Sequence, residues 1–157
     1  MRGGGVGVYL VGAVAFFDIG DTLASVAVSP SSDRIDALSV FPYVPGVLAA
    51  LRDRSVRLGI ISNRGPIPAD EVDRALKAAG LWEFFEPELV VYGPKDSPRI
   101  FAQAAQRAGS PDLALFVGEI AGERAQASLA GFLVAAHPEL ALTVLDEHGG
   151  RDIESTT

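Results

Sequence analysis

Several polar groups of this sequence stand where apolar runs end: acids, a hydroxyl and a lysine, which would converge on a single crevice. Asp18 and Asp21 follow VGAVAFF in the stretch FFDIGDTLAS, and Ser62 closes VRLGIIS. Lys95 follows ELVVY, while Glu119 and Glu123 follow LALFVG. A carboxylate can act as a nucleophile and split one hard step into two. A lysine can supply positive charge and a hydroxyl a hydrogen-bond donor in the same crevice. Acids alongside can hold a hard divalent cation through oxygen. Each residue also has a plain structural use. An aspartate or serine past a strand forms turns or caps helices, and a lone lysine is ordinarily solvated. Glu123 suits the first turn of any helix.

The chemistry depends on what positions these groups. The runs at 11–17, 56–62, 88–92, 113–118 and 131–136 are short, rich in Val and Ile, and not alternating, as strands buried on both faces are. Helical patterns fall between them at 44–54, 68–80, 97–109 and 121–131. The segment 68–80 has early acids, later bases and a terminal glycine, and 97–109 offers Ser97 as cap and Pro98 at the first helical position. Strictly alternating strands and helices predict a parallel sheet covered on both faces. Ligands of such sheets bind beyond the carboxyl ends of the strands, near the point where strand order reverses. The segment 24–43 is expected to be a loop or small flap, and the polar tail 146–157 to fray.

At 157 residues the chain suits one domain that buries roughly 68–70% of its unfolded surface. It is read as a flexible N-terminus over 1–10, an α/β domain over 11–145 and the tail over 146–157. The net charge is −7, and the thirteen Lys and Arg form no cluster, which argues against nucleic acid and anionic membrane as partners. No cysteine is present, so thiol catalysis is excluded, and the expected location is the reducing cytoplasm. Met1-Arg2 and the following apolar stretch have the outline of a secretion signal, with Ser25-Val26-Ala27 as a cleavage site. Five glycines between Gly3 and Gly12 make a poor signal helix, so a buried strand is the preferred reading. His137 and His148 have no zinc-ligand spacing and are read as structural or surface groups.

Taken together and in order, these motifs make the chain resemble the haloacid dehalogenase-like superfamily of aspartyl-nucleophile phosphotransferases, from Val11 to about Ala136. The family's DxDGTL appears here as Asp18-Ile19-Gly20-Asp21-Thr22-Leu23, and its strand ending in Ser or Thr as GIIS at Ser62. KDSPRIF keeps the lysine, proline and phenylalanine of the third motif at Lys95, Pro98 and Phe101. The fourth, VGDxxxD, becomes VGEIAGE with Glu119 and Glu123. The resemblance implies a three-layer α/β, Rossmann-like fold with a five-stranded parallel sheet. The intervals between Asp18, Ser62 and Lys95 leave no room for a sizeable inserted cap domain, so the capless branch is implied. An open site suits a large substrate or closure by another subunit, which leaves a homo-oligomer open.

By this resemblance Asp18 is the nucleophile of a Mg²⁺-dependent phosphatase acting on a small phosphorylated molecule. Ser62 and Lys95 stabilise charge, and Asn63 and Arg64 are candidate substrate contacts. Asp18, the carbonyl of Gly20, Glu119 and Glu123 are the candidate metal ligands. The departure lies at Gly20, where family phosphatases carry the aspartate that protonates the leaving oxygen. Such acid–base catalysis contributes roughly 10²–10⁴ in rate, so slow turnover is expected. Asp21 stands one residue further on and is a substitute acid or a turn-former. The alternative is a catalytically impaired member that binds a phosphorylated ligand or a protein partner. Dehalogenation ranks last, because this chain has neither the D-x-Y-G-T pattern nor a cap.

Overall fold

In the computed structural model, which describes residues 9–155 and side chains through residue 149, each apolar run forms a strand. Residues 1–8, most of the segment expected to be flexible, lie outside the described residues. The run at 11–17 forms β1 (Ala13–Phe17), with all of its residues buried. The chain continues through β2 (Ala24–Val28), β3 (Ile35–Val40), α1 (Val44–Asp53), β4 (Arg57–Ser62) and α2 (Ala69–Ala78). It closes with β5 (Val90–Tyr92), α3 (Arg99–Arg107), β6 (Leu113–Val117), α4 (Ala121–Leu129), β7 (Leu133–Ala135) and α5 (Ala141–Ser155).

Five strands form one parallel sheet in the order β5-β4-β1-β6-β7. The order reverses at β1, which lies at the centre of the sheet. Successive residues of a strand point to opposite faces, so β1 feeds two cores. Ala13, Ala15 and Phe17 pack with Leu48 of α1, Leu76 of α2 and Leu145 of α5. Val14 and Phe16 face the other side, with Phe101 of α3, Phe116 and Phe132. Phe101 meets Phe116 edge-on at 5.0 Å and Phe132 at 5.7 Å. Full burial of each such side chain contributes roughly 1.5–3 kcal/mol. With both faces of the sheet covered, the strands show no alternation.

Parallel register sets where the polar groups emerge. Phe17 is level with Ile60 on one side and Val117 on the other, and Ser62 is level with Tyr92. The residues past these strands therefore surface together on the carboxyl edge. At the start of α3 the expectation shifts by one residue. Pro98 is the N-cap, and the Ser97 hydroxyl accepts from the Arg99 N–H at 3.3 Å.

Two segments differ from the sequence reading. The stretch 24–43 contains a paired antiparallel hairpin, β2 with β3, joined to the first loop by a bridge between Gly20 and Ala24. Its strands are largely exposed, so backbone pairing holds them and little apolar pattern betrays them. The backbone is also helical across residue 146, where the polar tail was placed. At Gly149 a Cβ would lie 2.8 Å from Leu10, so glycine there admits a close approach against the helix.

The hairpin is fastened from α2. The Glu71 carboxylate accepts from the Ile35 N–H at 2.8 Å and from Arg74, whose guanidinium also donates to the Ile35 carbonyl at 3.1 Å. Arg74 first, and then the Ile35 N–H, pull the Glu71 pKa from 4.5 to about 2. A depressed carboxylate stabilises above its unfolded value, so this fastening is complete above pH 4.5 and is lost as pH falls toward about 2. The protection of the Ile35 amide, measured as its exchange rate relative to that of an unstructured peptide at the same pH, is accordingly expected to fall over that acid window. Glu71→Ala should give the low protection already at neutral pH.

Candidate active site

Asp18 enters the crevice while its backbone is still in the sheet. β1 ends at Phe17, and the Asp18 N–H still pairs with the Val117 carbonyl at 3.0 Å. Its side chain is nearly buried, as are Ser62 and Lys95. Lys95 is brought in by the loop after β5, whose Gly93 N–H holds the Ser62 carbonyl at 3.0 Å. The Lys95 ammonium then donates to Asp18 Oδ1 at 2.6 Å, and the Ser62 hydroxyl donates to the same oxygen at 3.3 Å. Three chain segments thus meet on one carboxylate.

A buried ammonium is costly without partners, and Lys95 has several. Besides Asp18 it lies 3.1 Å from Glu123 Oε1, donates to the Ile61 carbonyl at 3.4 Å and sits 5.7 Å over the Phe116 ring. Glu123 is therefore an ion-pair partner of the lysine. Its Oε1 is nevertheless one of two buried side-chain oxygens without a directed hydrogen bond among the described residues; the other is Thr22 Oγ1. Glu119 stands exposed just past β6. The loop that carries it is anchored by Arg124, which donates to the Gly118 carbonyl at 2.8 Å.

The remaining expected residues sort by geometry. Asp21 is exposed and left-handed, at φ 61, a conformation that Asp tolerates better than most residues. It closes the turn through its N–H to the Ala24 carbonyl at 2.8 Å. Asn63 and Arg64 line a cavity of about 480 Å³ together with Gly20 and Ser62. Asn63 Oδ1 accepts from the Gly65 N–H at 2.9 Å, and Arg64 donates to the Ile67 carbonyl at 2.7 Å. The sequence reading missed the far wall of this cavity, Val26 and Val28 of the hairpin, and also Tyr92. The Tyr92 hydroxyl donates to Asp73 at 2.5 Å; burial, and then that bond, push its pKa well above the usual tyrosine range.

A hard divalent cation fits the donors. Among the described residues, no three His, Asp or Glu side chains form a metal cluster. Mg²⁺ needs only one or two carboxylates, with waters filling its octahedron. Asp18, the Gly20 carbonyl and Glu119 could supply oxygens. The turn uses the carbonyls of Ile19 and Ala24, not that of Gly20. Charge favours the same conclusion, since Asp18 and Glu123 face a single ammonium and the centre is left with net negative charge.

Comparison with known proteins places this geometry. A family model described as haloacid dehalogenase-like hydrolase matches residues 18–121. An uncharacterized protein from Listeria monocytogenes serotype 4b has a similar structure at 16% identity and TM-score 0.66, covering 86% of this chain and 99% of its own. A HAD-superfamily hydrolase from Ehrlichia chaffeensis is 11% identical at TM-score 0.65, with coverages of 87% and 96%. A D,D-heptose 1.7-bisphosphate phosphatase from B. bronchiseptica, complexed with magnesium and phosphate, is 13% identical at TM-score 0.50, with coverages of 86% and 99%. At these identities the structures share the fold. No curated protein matches the chain. Among the described residues, no helix is long and apolar enough to cross a membrane.

The buried charges make Lys95 a stability determinant. Lys95→Met would leave two carboxylates facing each other without a cation, a loss of about 3–5 kcal/mol. Urea denaturation is expected to show that loss as a lower midpoint with an unchanged slope.

Proposed function

We propose a phosphatase, because the chain belongs to the haloacid dehalogenase-like hydrolase family and two donors converge on its strand-end aspartate. The observation that carries this proposal is the pair of bonds from Lys95 and Ser62 to Asp18 Oδ1. They hold the carboxylate in one orientation and place positive charge where phosphoryl oxygens would gather. Asp18 attacks phosphorus, the bond to the leaving oxygen breaks, and an aspartyl-phosphate results. Water then attacks phosphorus, inorganic phosphate departs and the carboxylate is restored. Lys95 and the Ser62 hydroxyl stabilise the charge on the transferring group in both steps. Mg²⁺ held by Asp18, Gly20 and Glu119 would supply neutralising charge for the incoming dianion. Glu123 keeps the ammonium in place. A cytoplasmic location goes with this proposal, from the absence of cysteine and the ordinary globular composition.

Gly20 favours the second reading, a member that binds a phosphorylated ligand or a protein partner without turnover. Glycine can neither protonate a leaving group nor activate water, and no other carboxylic acid lines the cavity among the described residues. The site can be repaired without strain. Gly20 lies outside the left-handed region, and a Cβ there would meet only Val26, at 3.9 Å.

Hydrolysis of an aryl phosphate in millimolar Mg²⁺ tests both. Asp18→Asn is expected to abolish it, and Gly20→Asp to raise turnover of alkyl phosphates by roughly 10²-fold or more. Equal rates in wild type and Asp18→Asn would overturn the nucleophile assignment. Tight phosphate-analogue binding with no turnover in wild type would favour the binding role.

A further inference from the structure

The cavity beside Asp18 has a chemistry of its own. Its walls are Ile19, Val26, Val28, Ile35, Ile67 and Val72, an apolar set drawn from the first loop, the hairpin, the β4–α2 loop and α2. Its volume of about 480 Å³ lies within the roughly 300–1,000 Å³ of small-molecule sites. It joins the reacting centre directly, because Gly20 and Ser62 belong to its lining and Ser62 also touches Asp18.

Its polar side chains are mostly committed elsewhere. Ser62 is bonded to Asp18, Asn63 Oδ1 to Gly65, Arg64 to the Ile67 carbonyl and Tyr92 to Asp73. Ser32 and the Asn63 amide N–H groups stay available, so the lining offers a few polar contacts against an apolar majority, which suits a ring with few hydroxyls better than a polyol. Among the described residues that line the cavity, none carries a carboxyl, imidazole or amine. Tyr92 is no replacement acid, since its proton is directed to Asp73. An oxygen that leaves into this cavity meets no acid in its lining, and an intrinsically stable anion departs there most readily. Phenols ionise near pH 10, several units more readily than the aliphatic hydroxyls of sugars and glycerol.

We infer that the substrate is an aryl phosphate, a small phosphomonoester whose leaving oxygen is phenolic and whose ring seats between the hairpin and α2. The inference rests on the phosphatase reading above and narrows it. Asp18 forms its bond to phosphorus, the phosphorus–phenolic oxygen bond breaks, and the phenolate leaves with the electron pair. It takes its proton from solvent. Water then cleaves the aspartyl-phosphate to inorganic phosphate, with its own proton released to solvent.

The test compares kcat/KM for substituted phenyl phosphates and 1-naphthyl phosphate with that for glycerol phosphate and glucose 6-phosphate, in Mg²⁺. Wild type is expected to favour the aryl esters at least 100-fold and to lose rate steeply as the phenol becomes less acidic. Gly20→Asp should flatten that dependence. Calorimetry provides a readout without turnover: phenylphosphonate should bind about tenfold tighter than methylphosphonate. Val28→Asp, at a half-exposed position that tolerates charge, should remove the difference. Asp18-dependent hydrolysis of glucose 6-phosphate at the aryl rate would overturn the inference and leave the phosphatase reading intact. Equal binding of the two phosphonates would do the same. No hydrolysis of any ester and no phosphonate binding would overturn both.

Discussion

One buried ammonium organises this protein. Lys95 is shielded from water, and its charge is tolerable only because Asp18, Glu123 and the Ile61 carbonyl surround it. Those partners come from the end of β1, the first turn of α4 and the last turn of β4, while the lysine itself follows β5. A slip of one residue in any of these pairings would turn side chains to the opposite face. Parallel pairing centred on β1 thus has an electrostatic consequence. The sheet must close in this register, or a charge is left buried without compensation.

On the proposed phosphatase reading, the same constraint would let the chemistry run with few parts. Phosphoryl transfer asks mostly for position and electrostatics, and a carboxylate fixed by two donors supplies both. What is missing lies two residues away. In DxDGTL the glycine would fall where Asp21 stands, and that position is left-handed, at φ 61. Aspartate can adopt this conformation, as glycine does, so the turn keeps its shape with Gly20 and Asp21 exchanged. The backbone survives the exchange, and the acid ends up exposed and outside the cavity lining.

The hairpin adds apolar side chains beside Asp18 at the length of two short strands, and Glu71 and Arg74 fix it to α2 through the backbone of Ile35. Val26 and Val28, partly exposed on the hairpin, form one wall of the cavity.

By itself the sequence determined the five buried strands, four of the helices and the polar groups at the strand ends. Apolar runs such as VAFF and GIIS report burial directly, and Ser97-Pro98 and Gly109 mark helix limits through local backbone chemistry. Tertiary structure alone decided the rest. The hairpin is held by cross-strand and Glu71 hydrogen bonds, which leave no periodic trace in an exposed ASVAV. In the helix through Gly149, the bare glycine admits Leu10 from the far end of the chain, a contact that no local pattern announces. Glu123 read as a metal ligand or helix-start acid, and its place beside Lys95 follows from how α4 packs after β6. Local signals fix what a segment can be; which distant groups meet depends on the register of the strands between them.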